Sequence, residues 1–454
     1  MILVNPNDRL WFTCPPMSLA CLSTALKKAG QPVRVVDLGV ERSPLSVLRE
    51  CLAREERPVV GITSNVATMR RGLQIAAFVR KVKPSATVVF GGPHPSIIAS
   101  RLLPRHCDAV LSGEGDLVVA DLAEGKPFRE IPGTVYWDGG LRESPRNGYV
   151  EDLDSLPFPD WEEFRLRRYR YPGRIPALPL MTSRGCPYSC INCTKVIHGN
   201  RLRTRSPGSV IEEIRQGIAN WGIREVQIWD DNFTLDLPRA KEILRQIIRH
   251  GLHRKIRFLI PSGIRADIYD EELFDLFARA HFYFVAVALE SGSQEIINRM
   301  GKKLDLSKAE RTVRALTRRG IRVALFFMMG FPFETLEYME RTIDFAMSLP
   351  AHHAYFFMVV PFPGTPLYDM VLERGRFVGD PAMGLPCYDE ALSCFTVDQY
   401  TREELAEQLK RAYRRFYYRP RQIARTLIPL LRDPQDLKFV ATTAGRLLMK
   451  GRRV

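Results

Sequence analysis

Residues 182–193 read TSRGCPYSCINC and hold three cysteines in the spacing C-x3-C-x2-C, namely Cys186, Cys190 and Cys193. An apolar stretch that predicts a strand at residues 180–183 comes directly before them. Three thiolates on one short loop can hold an iron–sulfur cluster, whereas structural zinc normally needs a fourth Cys or His. The candidates for a fourth ligand are His198, Cys387 and Cys394. A [4Fe–4S] cluster with three thiolates leaves one iron open to a small chelating molecule.

From residue 180 onward, the sequence repeats a unit of one strand and one helix. Short apolar runs predict the strands, and helical periodicity fills the stretches between them. The predicted strands are residues 180–183, 225–230, 256–261, 283–290, 322–329 and 355–360. The predicted helices are residues 209–220, 238–250, 270–280, 306–319 and 334–348. Six units are too few for a closed eight-fold barrel and predict a partial (β/α)6 TIM-type barrel over residues 180–370.

Each predicted barrel strand runs into polar residues, glycine or proline. Barrel chemistry takes place at the carboxyl ends of the strands, so these residues are candidates for cofactor contacts. The candidates are Asp230, Asp231, Arg265, Glu290, Ser291, Gly330 and Pro361. Several of these residues have a structural explanation that does not involve a cofactor. Asp230 and Asp231 would fit the N-cap of the next helix, and Glu290 would fit an ion pair at the edge of the barrel. Arg265 would fit a surface salt bridge, and Gly330 would fit a tight turn.

Residues 1–143 also alternate strands and helices. The predicted strands are residues 1–5, 33–37, 58–63, 86–91 and 108–111, and the predicted helices are residues 17–30, 44–54, 68–83 and 95–103. Strands that are apolar on both faces predict a parallel sheet in a Rossmann-like, doubly wound α/β domain. Gly91 and Gly92 follow the fourth strand and Gly113 follows the fifth, where a bare backbone can approach a large flat ligand. The alternative is that these turns bind nothing.

Two further segments complete the predicted organisation. Repeated prolines predict an extended linker at residues 144–179, draped between the two domains. Residues 371–454 predict a basic, mostly helical C-terminal region, in which residues 411–454 hold twelve Lys or Arg and two acids. This pattern fits peripheral contact with an anionic membrane, and it also fits a helical cap packed on the barrel. We favour the cap.

Composition bounds the function. The chain has 454 residues, of which 45% are hydrophobic and 26% charged, so it is neither disordered nor fibrous. The net charge is +15, but +10 of it (twelve minus two) belongs to residues 411–454, and we expect no nucleic-acid partner. The nine cysteines do not predict a disulfide framework, and no apolar run reaches the length of a membrane span. The chain starts without a signal-peptide pattern, so we expect it in the cytoplasm, with membrane association through the C-terminus as the alternative.

At this point the motifs carry a family resemblance. Residues 182–193 resemble the cluster loop of radical S-adenosylmethionine (SAM) enzymes. Four later motifs resemble those that the family carries at its strand ends: IWDDNF at 228–233, ALESGSQ at 288–294, MGFPFET at 329–335 and PFPGTP at 361–366. With the N-terminal domain in front, the layout is similar to the B12-binding class. That class includes cobalamin-dependent methylases and the anaerobic magnesium-protoporphyrin ester cyclase.

The resemblance implies a [4Fe–4S] cluster on the three cysteines, SAM on its open iron, and cobalamin. An electron from the cluster would break the sulfonium C–S bond and give a 5′-deoxyadenosyl radical. It also implies that Glu290 contacts the ribose or the methionine ammonium and that Asp230 and Asp231 fix the ammonium. Arg265 would meet the SAM carboxylate, and Gly330 would let the backbone approach adenine. An electron donor such as flavodoxin or ferredoxin is the implied partner.

Two departures from the family pattern stand out. Asn192 occupies the position before the third cysteine, where the family usually has an aromatic residue. The first domain lacks the D-x-H-x-x-G motif through which many B12 proteins ligate cobalt, and His94 lies in the wrong place to replace it. Cobalamin is therefore expected base-off, with no histidine on its lower face. Asn5, Trp11, Thr63 and Ser64 are near the strand ends that could cover that face.

The leading functional hypothesis is cobalamin-dependent C-methylation of a small-molecule or lipid substrate in secondary metabolism. The second hypothesis is a radical dehydration, cyclisation or rearrangement of a sugar, aminoglycoside, lipid or tetrapyrrole, without methyl transfer and without bound cobalamin. A third is a non-catalytic iron–sulfur scaffold, which would require the strand-end motifs to be coincidental. The sequence does not identify the substrate.

Overall fold

The computed structural model describes residues 1–6, 13–146, 148–169, 171, 173–380 and 392–431. The strands of its first unit are β1 (Ile2–Asn5), β2 (Arg34–Asp37), β3 (Val59–Thr63), β4 (Thr87–Gly91), β5 (Ala109–Leu111), β6 (Thr134–Trp137) and β7 (Leu141–Glu143). The helices are α1 (Met17–Lys28), α2 (Pro44–Ala53), α3 (Met69–Val82), α4 (Pro93–Leu102) and α5 (Val119–Ala123). The predicted elements agree with these bounds to within two residues.

The first sheet has the order β2-β1-β3-β4-β5-β6-β7. Its first five strands are parallel, which confirms the doubly wound α/β prediction. Two further strands that were not predicted, β6 and β7, extend the sheet in antiparallel orientation. Asp138, Gly139 and Gly140 form the turn between β6 and β7. A turn of this kind reverses the chain at once, whereas a parallel return needs a crossover helix.

The second unit is a six-stranded parallel sheet with helices outside, which confirms the partial barrel. Its strands are β8 (Ala177–Leu180), β11 (Glu225–Ile228), β12 (Arg257–Arg265), β13 (Phe282–Glu290), β14 (Arg322–Met329) and β15 (His353–Met358). Their spatial order follows the chain, so β8 and β15 are the two edges. The helices are α6 (Pro207–Trp221), α7 (Leu237–Arg249), α8 (Glu271–Arg279), α9 (Gln294–Arg299), α10 (Leu306–Arg318) and α11 (Leu336–Ser348).

The start of the barrel differs from the prediction. The first strand is Ala177–Leu180 rather than residues 180–183, so it lies within the stretch assigned to the linker. The sequence did not predict this strand because it contains Pro179. Proline lacks an N–H and is tolerated mainly on edge strands, and β8 is an edge strand. Instead, β9 (Ser183–Arg184) pairs antiparallel with β10 (Arg203–Thr204). This small hairpin closes the base of the cysteine-containing loop at residues 185–202.

The proline-rich connector is packed between the two units rather than draped over them. Its rings Trp161, Phe164, Tyr169 and Tyr171 are buried in the core shared with the barrel. The Tyr169 hydroxyl donates to Asp37 Oδ2, at the end of β2, over 2.7 Å. Burial of large aromatic rings dominates core energetics, so the connector contributes to holding the two units together.

The C-terminal region continues with α12 (Pro366–Arg374), the hairpin of β16 (Gly375–Phe377) and β17 (Phe395–Val397), α13 (Arg402–Tyr417) and α14 (Pro420–Leu431). Helix α13 covers the outside of β15. The Tyr413 hydroxyl accepts from the Phe356 N–H, and the Tyr417 hydroxyl accepts from the Ala354 N–H. Arg415 pairs with Glu340 of α11, as a packed cap would require. No helix in the described ranges is long and apolar enough to span a bilayer, and residues 432–454 lie outside those ranges.

Candidate functional site

The cysteine loop starts at a glycine that no other residue could replace without rearrangement. Gly185 has φ +86°, and a Cβ there would lie 2.2 Å from the carbonyl oxygen of Arg201 and 2.9 Å from that of His198. The Cys186 N–H donates to the Gly199 carbonyl over 3.4 Å. The first cysteine is thus fixed against the far side of its own loop by backbone contacts.

The three cysteines are free thiols. Burial raises the pKa of Cys190, and the charges of Glu290 and Cys186 raise it further. Cys193 is exposed on the loop, but partial desolvation by the surrounding chain and the charges of Cys190, Asp231 and Cys186 raise its pKa to about 11. The thiols are therefore within electrostatic reach of one another, as the ligands of one cluster must be. Within the described ranges, no three His, Cys, Asp or Glu side chains converge as ligands of a single metal ion would.

Asp230 and Asp231 hold the start of this loop from below. Asp230 is fully buried, accepts from the Thr182 N–H and hydroxyl and, over 2.7 Å, from the Ser183 hydroxyl, and burial raises its pKa. Asp231 accepts from the Gly185 N–H over 3.0 Å. Neither caps the next helix, because α7 has Asp236 as its N-cap. The expected contact of both aspartates with SAM stays a prediction.

Arg265 and Glu290 lie next to the loop. The Arg265 guanidinium pairs with Asp267 through two bonds of 2.9 Å and lies over the Tyr188 ring at 3.9 Å. It is buried, so it does not form a surface salt bridge. Glu290 has φ +70° and pairs with Lys302. Strained backbone of this kind persists where the surroundings fix it, often at functional sites.

The other candidates on the barrel strands are packed tightly. The Ser291 hydroxyl bonds the Thr342 hydroxyl over 3.1 Å, and Pro361 is buried. Gly330 has φ +98°, and a Cβ there would lie 2.6 Å from the Leu405 side chain of helix α13. The backbone conformation and this close contact together disfavour any larger residue. Fully buried Glu334 accepts from the Gly330 N–H over 2.7 Å, and burial raises its pKa to about 7.

A cavity of about 810 Å³ separates the two units and brings several candidates together. Gly91, Gly92 and Gly113 of the first unit line it, and so do Cys186 and Cys193 of the loop. A Cβ on Gly113 would meet nothing within 4 Å, whereas one on Gly92 would lie 2.6 Å from the carbonyl oxygen of Ser64. At this boundary of the cavity there is therefore free space beside Gly113, whereas the backbone at Gly92 is closely packed against Ser64.

The cavity extends along an apolar arm into the first unit. Side chains of the sheet and of helices α1 and α5 line this arm: Leu3, Leu19, Leu22, Val89, Leu111, Val119 and Leu122. The connector supplies another wall through Leu156, Pro157, Phe158 and Pro159. Sequence reasoning missed these connector residues, because proline-rich composition indicates loss of regular structure and not what the segment packs against.

A buried ion cluster joins the first unit to the loop. Arg203 donates to both oxygens of Glu114 over 2.7 and 2.9 Å, and Arg184 donates twice to Asp116 over 3.0 and 3.1 Å. His198 Nδ1 lies 3.1 Å from Glu114 Oε1. Burial opposes ionisation of Glu114, but bonds from His198 and Arg203 and the Arg184 charge hold its pKa well below the usual range.

The remaining predicted residues lie outside the cysteine loop, and one of them lines the cavity. His94 is buried in α4, and Asn5 donates to Asp37 over 3.0 Å. Cys394 lies in a separate apolar cluster with Val371 and Phe395, away from the cysteine loop. Thr63 lines the cavity. Trp11 and Cys387 lie outside the described residues.

Comparison with known families agrees with this arrangement. The Radical SAM superfamily matches residues 180–346, and the B12 binding domain matches residues 9–123. The chain is a radical SAM enzyme with an N-terminal B12-binding domain. The first range contains the cysteine loop, and the second contains strands β2 to β5 of the first unit.

Relatives of this radical SAM enzyme include methyltransferases. An uncharacterized methyltransferase from Pyrococcus horikoshii is 29% identical over 424 residues, covering 91% of this chain and 90% of that protein. Cytidylyl-2-hydroxyethylphosphonate methyltransferase from Streptomyces wedmorensis is 28% identical over 446 residues, covering 83% and 82%. The solved structure of the radical S-adenosylmethionine methyltransferase TsrM from Kitasatospora setae, with cobalamin and a [4Fe–4S] cluster bound, has a TM-score of 0.69 and 25% identity, covering 82% and 74%.

Replacing Glu114 with a neutral glutamine should strongly reduce the stability of the folded chain. Glu114→Gln leaves buried Arg203 without its counter-charge and leaves Arg184 with Asp116 alone, so we expect the free energy of unfolding to fall by about 3 kcal/mol. The matched control is Glu151→Gln, which breaks the exposed pair with Arg201 and should cost less than about 1 kcal/mol. Denaturant unfolding of both variants measures the difference. Equal effects would show that the buried cluster does not join the units.

Glu334 predicts a pH dependence of stability. Its pKa is about 7 in the folded chain against 4.5 in the unfolded one, so the folded state binds the extra proton between these values. Raising the pH from 5 to 8 should therefore cost the wild type roughly 2–3 kcal/mol relative to Glu334→Gln, which cannot ionise. Denaturant unfolding at both pH values measures this. A difference between the two proteins that does not change with pH would contradict the assignment.

Proposed function

We propose that this radical SAM enzyme is a cobalamin-dependent methyltransferase that adds a methyl group to an unactivated carbon of a small-molecule or lipid substrate. The observation that carries the proposal is the cavity between the two units. It is bordered by the glycine turns of the B12-binding domain and by two cysteines of the loop. The similarity to three methyltransferases supports the same reading.

The loop fits a [4Fe–4S] cluster. Cys186, Cys190 and Cys193 are free, mutually interacting thiols on a segment whose two ends are fixed by the β9–β10 hairpin. His198, the nearest candidate for a fourth ligand, has Nδ1 engaged by Glu114. The three cysteines would hold the cluster, leaving one iron for SAM.

The cavity fits cobalamin in the base-off form. The Gly91, Gly92 and Gly113 turns would lie against the corrin, and the apolar arm between the sheet and helices α1 and α5 would take its displaced aromatic base. Among the described residues that line the cavity, the one imidazole is that of His198, which belongs to the cluster loop. When bound, the cluster with SAM supplies a carbon radical and cobalamin supplies the methyl group.

The strand-end residues would position SAM. We assign Glu290 to the ribose or ammonium group and Arg265, Ser291, Gly330 and Pro361 to the remaining edges of the SAM site. Asp231, exposed beside Cys193, is the better candidate for the ammonium. Asp230, whose carboxylate is bonded to Thr182 and Ser183, would position the loop. An electron donor such as flavodoxin or ferredoxin would reduce the cluster.

Anaerobic incubation of cluster- and cobalamin-loaded protein with SAM and a strong reductant tests the proposal. We expect both 5′-deoxyadenosine and S-adenosylhomocysteine, the second because the SAM methyl group passes to reduced cobalamin without any substrate. Cys186→Ala should abolish deoxyadenosine, and Cys14→Ala, outside the site, should leave both products. Deoxyadenosine alone, or failure to bind cobalamin in the absorption spectrum, would refute methyl transfer and favour a radical dehydration or cyclisation.

A further inference from the structure

Three aromatic rings line the inner face of the barrel at its last two strands, β14 and β15. Phe326 on β14 and Tyr355 and Phe357 on β15 form this group, which we call the aromatic wall. Phe326 is paired with Tyr355 in register, and Met328 is paired with Phe357. Ala354 and Phe356 of β15 contact helix α13 on the outside. Because side chains alternate along a strand, the wall faces the interior.

The rings form one surface. The Phe326 ring lies edge-on to Tyr355 and to Phe357, with centroids 5.8 Å apart in both cases. Tyr355 and Phe357 are stacked at 6.2 Å with an interplanar angle of 13°. They are 38% and 47% exposed. Adjacent aromatic rings that stay exposed inside a barrel offer a flat apolar body a place to stack.

Small side chains leave room in front of the wall. Ala288 on β13 is the in-register neighbour of Phe326, and Ala286 is that of Ala324. One layer further toward the carboxyl ends lies Glu290, the residue that we assign to SAM. A molecule stacked on the wall would therefore lie beside the SAM site.

The ionisable group at the lower end of the wall is uncharged at neutral pH. His353 precedes Tyr355 on the same face, with ring centroids 6.5 Å apart. Burial, with help from the Arg322 charge, lowers its pKa to about 4. The wall thus presents three aromatic rings and a neutral imidazole to its ligand, and the Arg322 charge lies near His353 at the lower end.

One polar atom near the wall lacks a partner. The Asn192 amide N–H donates to the Met328 sulfur over 3.6 Å, while its carbonyl oxygen Oδ1 is buried without a hydrogen bond. A buried acceptor without a hydrogen bond has lost its water without replacement, and a ligand donor would recover that loss. Asn192 is next to Cys193, so this acceptor connects the wall to the cluster loop.

We propose that the aromatic wall and Asn192 bind the methyl acceptor, and that this acceptor is a flat, uncharged, largely apolar molecule with an N–H or O–H donor. Phe326, Tyr355 and Phe357 take the flat body, and Asn192 Oδ1 accepts from the donor. The identification as methyl acceptor rests on the proposed function, but the chemistry of the ligand rests on the wall itself.

Calorimetric titration of the cluster- and cobalamin-loaded protein with indole and 1-methylindole tests this. Both probes are flat and apolar, and only indole has a donor. We expect indole to bind about tenfold more tightly, as one hydrogen bond to an otherwise unpaired acceptor predicts. Asn192→Leu, verified to retain its cluster, should abolish the difference while still binding 1-methylindole. Phe357→Ala should weaken both probes about tenfold.

The control is Tyr418→Ala, which removes an aromatic ring that is 77% exposed outside the barrel and should change neither affinity. Equal affinities of the two probes for the wild type, or probe binding that Phe357→Ala leaves unchanged, would overturn the inference. Probe binding requires no turnover. Loss of S-adenosylhomocysteine formation with probe discrimination intact would therefore refute the methyltransferase proposal and leave the ligand class standing.

Discussion

The buried carboxylate of Glu114 is the contact on which the arrangement of the two units depends. It follows the last parallel strand of the B12-binding domain and receives Arg203 from one strand of the β9–β10 hairpin and Arg184 from the other. These arginines flank the cysteine loop at its two ends. A buried carboxylate such as Glu114 stabilises the fold only while its arginine partners remain bonded to it, because an unpaired buried charge is strongly unfavourable. The position of the cysteines relative to the glycine turns is therefore set by electrostatics as well as by packing.

The cavity follows from that constraint. With both ends of the loop bonded to the first unit, Cys186 and Cys193 line the same cavity as Gly113 and Gly92. Asp230 and Asp231 fix the same loop to the barrel, so it is bonded from both sides. The two cofactor sites that the family matches imply are in this way brought to one cavity.

Local patterns were enough to predict most of the fold. Alternation of apolar runs with helical periodicity located ten of the eleven predicted strands, and the cysteine spacing located the cluster loop. The first barrel strand was missed because Pro179 resembles a linker residue. The β6–β7 hairpin was missed because β7 is three residues long and fully exposed, so it shows no apolar strand pattern. Glu114 and Arg203 are 89 positions apart, and nothing in either neighbourhood indicates the other. The same holds for Trp161, whose burial depends on both units.

The central claim is that cobalamin and the cluster occupy one cavity. Electron paramagnetic resonance of the cob(II)alamin-loaded enzyme, recorded with the cluster oxidised and then reduced, tests it most directly. The account predicts that the paramagnetic reduced cluster broadens or splits the cob(II)alamin signal and speeds its relaxation. A cobalt signal that does not change on cluster reduction, in protein shown to contain both cofactors, would contradict it.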